Sequence, residues 1–89
     1  MKAIITVLGK DRVGIIARVC VYLSDNGINI LDINQTITGG YFNMMMIVDM
    51  PRADSEFGRH ADALAGLGAD IGVEIRLQHE DIFNSMHRI

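Results

Sequence analysis

Few residues in this chain are able to do chemistry, and one short segment holds most of what they could do. Gly9-Lys10-Asp11-Arg12-Val13-Gly14-Ile15 joins an apolar run to an amphipathic one. Glycine at both ends lets the backbone turn tightly and come close to a ligand. A helix starting at this point presents free N–H groups with partial positive charge, which suit a carboxylate or a phosphate. The plainer role of the same loop is structural, with Asp11 acting only as a helix N-cap.

The remaining candidates form no catalytic set. His60 stands between Arg59 and Asp62 on an amphipathic segment and reads as part of a solvated helix face. His79 and His87 flank the last apolar stretch eight residues apart, a spacing that matches no local metal pair such as i, i+4. A metal held by His79, Asp81 and His87 in an assembly is the sharper reading of that tail, and a capped amphipathic closing segment the simpler one. Cys20 falls on the same stripe as Val19 and Leu23 and reads as a small core hydrophobe. With no paired nucleophile and base and no two placed carboxylates, the chain is not expected to be an enzyme, and neither a metal nor a cofactor is expected.

The elements that must position the glycine-bounded loop follow from changes in apolar period. Ala3 to Leu8 is a β-branched run ended by Gly9, a buried strand. Ile15, Ile16, Val19, Cys20 and Leu23 recur at helical spacing, with Asp11 as a candidate N-cap and Asn26-Gly27 as the stop. Ile28 to Thr38 alternates, with Ile33, Gln35 and Ile37 on one side and Asn34, Thr36 and Thr38 on the other. Gly39-Gly40 supplies a two-residue hairpin turn into a strand over Tyr41 to Met50. That strand sets Phe42, Met44, Met46, Val48 and Met50 on one face and Tyr41, Asn43, Met45, Ile47 and Asp49 on the other. Packing explains the methionines, and adaptable contact with a partner is the second reading.

A second helix is expected from Asp54 or Ser55, carrying Phe57, Ala61, Leu64 and Ala65 inward and stopping by Gly68. Ile71, Val73, Ile75 and Leu77 alternate as a last strand. Ile82, Phe83 and Met86, preceded by Glu80-Asp81, suggest a short closing helix. The order is βαββαβ plus a tail. Two crossovers joined by a hairpin have one common solution, an α+β ferredoxin-like fold: a four-stranded antiparallel sheet with both helices on one face. Met45 and Ile47 then point to the uncovered face, together with Ile4 or Ile5, and call for exposure or for cover by another chain.

Composition bounds the function. The chain has 89 residues, a formal net charge of −3 and 49% apolar residues, which excludes disorder and leaves room for one domain. No basic patch is available for nucleic acid or an anionic membrane. One cysteine rules out a disulfide framework or a cysteine-based zinc site and fits a reducing compartment. The first residues lack the cleavage site of a signal peptide, and no stretch approaches the roughly 18 uncharged apolar residues of a membrane span, so a cytoplasmic location is expected. A domain this small buries only about 60–65% of its unfolded surface, which makes self-association the expected source of further stability, either over the open face or by joining edge strands.

Three stretches together carry a resemblance: Gly9 to Ala17, Asn26-Gly27-Ile28-Asn29-Ile30, and Asp32-Ile33-Asn34-Gln35-Thr36. The sequence resembles the ACT domain, a small regulatory module that binds amino acids, as a single domain over residues 1–89. It is most similar to stand-alone ACT-domain proteins of uncharacterised function, which share a tail like Gln78 to Phe83 and Met86 to Ile89 and are related to the ACT modules of the glycine cleavage system repressor. The resemblance implies a homodimer or higher homo-oligomer with a small amino acid, such as glycine or serine, held between the first strand-to-helix loop of one copy and the second strand of the next. Asp11, Arg12, Val13, Gly14 and Ile15 would wall the loop. Asn29, followed by Ile30, would correspond to the amide that contacts the ligand. Its plainer role is to satisfy a turn at strand entry. Many ACT loops have proline where this chain has Val13. A regulatory protein partner is the implied recipient of the signal, and the alternative is a structural or protein-interaction dimer with no small-molecule ligand.

Overall fold

The computed structural model describes residues 2–50 and 54–80. Strand β1 (Lys2–Lys10) leads through a loop to helix α1 (Ile15–Asp25), then to β2 (Asn29–Thr38), β3 (Tyr41–Asp49), α2 (Asp54–Ile71) and β4 (Val73–His79). All neighbouring strands are antiparallel, in the order β2-β3-β1-β4. This is the expected ferredoxin-like arrangement. The central pair has its ends fixed by Lys2 opposite Asp49 and Lys10 opposite Tyr41. The turn between β2 and β3 uses Gly39 and Gly40 with φ of 59° and 82°, the positive values that a two-residue hairpin matched to strand twist requires.

Alternation in the strands does what period two dictates. Ala3, Ile5 and Val7 of β1, Phe42, Met44, Met46 and Val48 of β3, and Val73, Ile75 and Leu77 of β4 all turn to the helix side and are buried. They meet Ile15, Val19 and Leu23 of α1 and Leu64 of α2 in one core. Each of these side chains larger than alanine contributes about 1.5–3 kcal/mol by leaving water. Cys20 is half-buried and packs against this cluster, as a small hydrophobe would. On β1 it is Ile4, not Ile5, that faces the other side, in a row with Ile47 and Gln78.

Four expectations need correction. Helix α2 does not stop by Gly68 but runs to Ile71, so Ile71 belongs to the helix and β4 starts at Val73. Gly68 is no breaker here: it lies where α2 passes closest to β4, and a Cβ on it would stand 2.6 Å from the Val73 carbonyl oxygen. Ala65 is exposed, because the inward stripe is carried by Leu64 and Ala61 on the adjoining positions. Asp11 does not cap α1. The residue at that position is Gly14, in a left-handed conformation with φ of 91°, and no side chain bonds to the first turn. The residues that would cap α2 and the closing helix over Ile82, Phe83 and Met86 lie outside the described side chains and residues.

The fourth correction concerns His60, which is only 2% exposed. A hydrogen bond of 2.7 Å joins its Nδ1 to the Tyr22 hydroxyl, with the direction set by the imidazole tautomer, and the two rings meet edge to face. The amphipathic period was read one face out of place, because neighbouring Arg59 and Asp62 suggested solvent. Among the described residues no buried side-chain polar atom lacks a partner. Tyr22→Phe would create the first, at a cost of about 1–2 kcal/mol in urea denaturation at neutral pH. Burial, opposed more weakly by the Arg59 guanidinium, holds the Tyr22 phenol above its ordinary value of 10.0. The folded state therefore keeps this proton to higher pH than the unfolded chain. The resulting contribution is intact below about pH 10 and is lost as pH rises beyond it. Tyr22→Phe is expected to flatten that alkaline decline, measured as the midpoint difference between the two proteins on either side of pH 10.

Candidate functional site

The loop from β1 to α1 is held at its start and open at its end. The Asp11 N–H donates to the Gly40 carbonyl at 2.9 Å, which ties the loop to the β2–β3 hairpin. The Arg12 guanidinium lies over the turn between α2 and β4, 3.4 Å from where a Cβ on Gly72 would stand. Val13 is fully exposed. Gly14 then turns the chain into α1, and the first bond of the helix is Arg18 N–H to the Gly14 carbonyl at 3.0 Å. The N–H groups of Ile15, Ile16 and Ala17 precede that bond, at the positive end of the helix dipole.

These residues border a pocket of about 240 Å³, lined by Arg12, Val13, Gly14, Ile15 and Arg18 from the loop and α1 and by Asp70 and Ile71 from the end of α2. Its electrostatics suit a small zwitterion. Arg12, Arg18 and the uncapped helix end offer positive potential to a carboxylate, and Asp70 offers a negative charge to an amine. Arg18 and Asp70 are 3.7 Å apart, both exposed, so their mutual attraction is weak and leaves each able to turn to a ligand. Neither was singled out by sequence reasoning. The only signal was position: Arg18 stands one helical turn after Ile15, while Asp70 enters the site through the unexpected extension of α2.

The expected site residues do not all gather in one chain. Asp11, Arg12, Val13 and Gly14 are exposed in the loop, but the Ile15 side chain belongs to the core and leaves only its N–H for a ligand. Asn29 opens β2 and is exposed, while Ile30 is half-buried toward the helix side. Asn29 lies in register with Asp49 and Lys2, whereas the loop leaves β1 after Lys10, in register with Tyr41 and Thr38. The eight residue steps between those rows amount to roughly 26 Å of strand. Asn29 and the loop of one chain are thus at opposite ends of the sheet.

Elsewhere the candidates thin out. Another depression, of about 340 Å³, lies on the open sheet face and is lined by Thr6, Leu8, Asn43, Glu74 and Arg76. Its two charges answer each other, Arg76 Nε donating to Glu74 Oε1 at 2.9 Å. His79 stacks on Phe57 with ring centroids 4.1 Å apart, and Asp81 and His87 lie outside the described residues. Among the described residues no three His, Cys, Asp or Glu side chains come together as metal ligands would. No helix of the structure is long and apolar enough to cross a membrane.

Comparison with known proteins bears on both loop and fold. A family model described as ACT domain matches residues 2–78. A UPF0237 protein of Bifidobacterium longum is 65% identical over 88 residues, covering 99% of this chain and 98% of that protein. Among solved structures, an ACT domain protein from Streptococcus pneumoniae superposes with a TM-score of 0.82 at 40% identity, covering 93% of both chains. A protein described as a putative glycine cleavage system transcriptional repressor matches 86% of this chain and 44% of its own length, with a TM-score of 0.75 and 26% identity.

Proposed function

The chain belongs to the ACT domain family, and from that premise we propose that it is a regulatory module that binds a small amino acid between two copies of itself. The observation that carries this reading is the placement of β2. It is a ten-residue edge strand with nine residues exposed, including Leu31, Ile33 and Ile37. An exposed edge of that length and apolar content is a ready template for pairing. If two copies join β2 to β2 antiparallel over their full length, the symmetry axis falls between Ile33 and Asn34, and the partner's Asn29 comes opposite Thr38. That is the end of the sheet where Gly40 anchors Asp11. The roughly 26 Å separation along the strands of one chain is then removed by the second copy, and the partner's amide comes to the loop's end of the sheet.

Each group has a role in this arrangement. The N–H groups of α1, with Arg12 and Arg18, donate to the carboxylate of the ligand. The partner's Asn29 offers both an acceptor and donors to the ammonium and carboxylate. A pocket of about 240 Å³ favours a small amino acid such as glycine or serine. Because such a ligand contacts both copies, it stabilises the dimer and by linkage binds the dimer better than the single chain, which is how a partner protein would sense it.

A thermal-shift screen against the amino acids tests this. Ligand at ten times its Kd adds about 1.4 kcal/mol, and a domain of this size moves roughly 4–8 °C per kcal/mol. A rise of about 5–10 °C is expected with the right amino acid, and Asn29→Ala should abolish it while leaving the unliganded midpoint within about 1 kcal/mol. No response to any amino acid at millimolar concentration would sink the proposal. That result would favour a second reading, a ligand-free docking module, supported by exposed Leu8 and Met45 on the open sheet face.

A further inference from the structure

Two large apolar residues on the helix side of the sheet are left open to water. Period two sets Ile33 and Ile37 of β2 on that side, in register with Met46 and Phe42 of β3. Met46 is 0% exposed and Phe42 3%, whereas Ile33 is 43% exposed and Ile37 57%. Gln35, which lies between the two isoleucines, is exposed as well.

Helix α1 turns an apolar flank toward the same edge. Ile15, Val19 and Leu23 define its buried stripe. With 3.6 residues per turn, Arg18 and Tyr22 stand about 100° and 60° to one side of that stripe, and Ile16 and Cys20 about 60° and 100° to the other. The first side faces α2, because Tyr22 reaches His60 and Arg18 reaches Asp70. Helix α2 in turn packs on β4, with Gly68 against Val73 and Ile75, and β2 is at the opposite edge of the sheet. The flank of Ile16 and Cys20 therefore faces the β2 edge. Both residues are half-buried. Helix flank and strand together make an apolar step, and the free edge of β2 is its foot.

We propose that this step is filled by the same step of a second copy, so that α1 packs beside its symmetry mate above the joined β2 strands. The inference rests on the β2-to-β2 pairing of the proposed function and adds a second layer to it. Area calls for that layer. The ten residues of β2, at about 3.3 Å each in a sheet about 10 Å thick, present an edge of about 330 Å² per copy, or about 660 Å² for the pair. Stable interfaces bury at least about 1,200 Å². Strand pairing alone supplies about half of this, and the step is the apolar surface continuous with it. Charge selects the occupant. Residues close to a two-fold axis meet their own counterparts, so a charged group there would face its like. Ile16, Cys20, Ile33, Gln35 and Ile37 carry no charge, which suits a second copy and offers nothing to attract a charged partner. A two-fold axis through the joined sheet reverses α1, so the two helices run antiparallel.

Sedimentation equilibrium and the chain's own cysteine test this seam. Cys20→Lys puts a charge into it and should raise the Kd of the dimer about tenfold or more. Val21 is 59% exposed on the outer side of the same helix, and Val21→Lys should leave that Kd within about twofold. At about a hundred times its Kd the unaltered protein has fewer than about one chain in ten single, so iodoacetamide should alkylate Cys20 about tenfold more slowly than in dilute solution. The far-UV spectrum should be the same at both concentrations. A dimer whose Cys20 reacts at a rate independent of concentration, or whose Kd is unmoved by Cys20→Lys, overturns the α1 seam and leaves the β2 pairing standing. A protein that sediments as single chains at every concentration removes both.

Discussion

Gly68→Ala is expected to destabilise the protein by about 1–3 kcal/mol, against the sign that helix propensity gives. Alanine in place of glycine within a helix ordinarily gains about 0.5–1 kcal/mol, and Gly68 is inside α2. Here the added Cβ would stand 2.6 Å from the Val73 carbonyl oxygen, 3.0 Å from Ile75 Cγ1 and 3.1 Å from the Ile75 nitrogen. Two of those atoms are backbone in a strand paired to β1, so relief requires α2 and β4 to separate along their contact. Steric cost exceeds propensity gain. Gly66 provides the control in the same helix, since a Cβ on it meets nothing within 4 Å. Gly66→Ala should therefore raise stability by about 0.5–1 kcal/mol. Urea denaturation of the two variants side by side decides the matter, and equal shifts of the same sign would show that the approach of α2 to β4 is not tight.

The second large effect concerns assembly. Ile33→Lys combined with Ile37→Lys is expected to convert the proposed dimer to single chains and to abolish the proposed thermal response to amino acids. Both isoleucines lie on the helix side of β2, in register with Met46 and Phe42, yet both are exposed. In a single chain the change replaces exposed apolar surface with exposed charge and should alter stability by no more than about 0.5 kcal/mol. Across a β2–β2 junction it places four lysines around one axis and removes the apolar contact there, a device by which edge strands commonly resist pairing. Sedimentation should show loss of the dimer with the far-UV spectrum unchanged. A variant that remains dimeric would locate the interface elsewhere, and one that becomes monomeric yet still responds to amino acids would remove the second copy from the site.

How far each feature could be read from the chain depended on whether its cause was local. The strand alternation of Phe42 to Met50 and Val73 to Leu77, the helical stripe of Ile15 to Leu23, and the Gly39-Gly40 turn all appear where the periods placed them, because side-chain direction in a strand or helix follows from backbone geometry alone. The loop Asp11 to Gly14 was also legible, as a glycine-bounded turn between two periods. Errors arose where a residue's environment came from far along the chain. Gly68 looks like a helix stop unless the proximity of Val73 is known. His60 looks solvated beside Arg59 and Asp62, and only the approach of α1, which brings Tyr22 to 2.7 Å, reveals it as an internal hydrogen-bonding group.

The candidate site divides along the same line. The residue types at the loop and the amide at Asn29 are written in the sequence, as is the apolar content. Their separation by the length of the sheet is not, because it depends on which strands are neighbours and in what register. The pairing of Asn29 with Asp49 and of Thr38 with Tyr41 puts the amide and the loop at opposite ends, and the exposed edge of β2 is the basis on which a dimer is proposed.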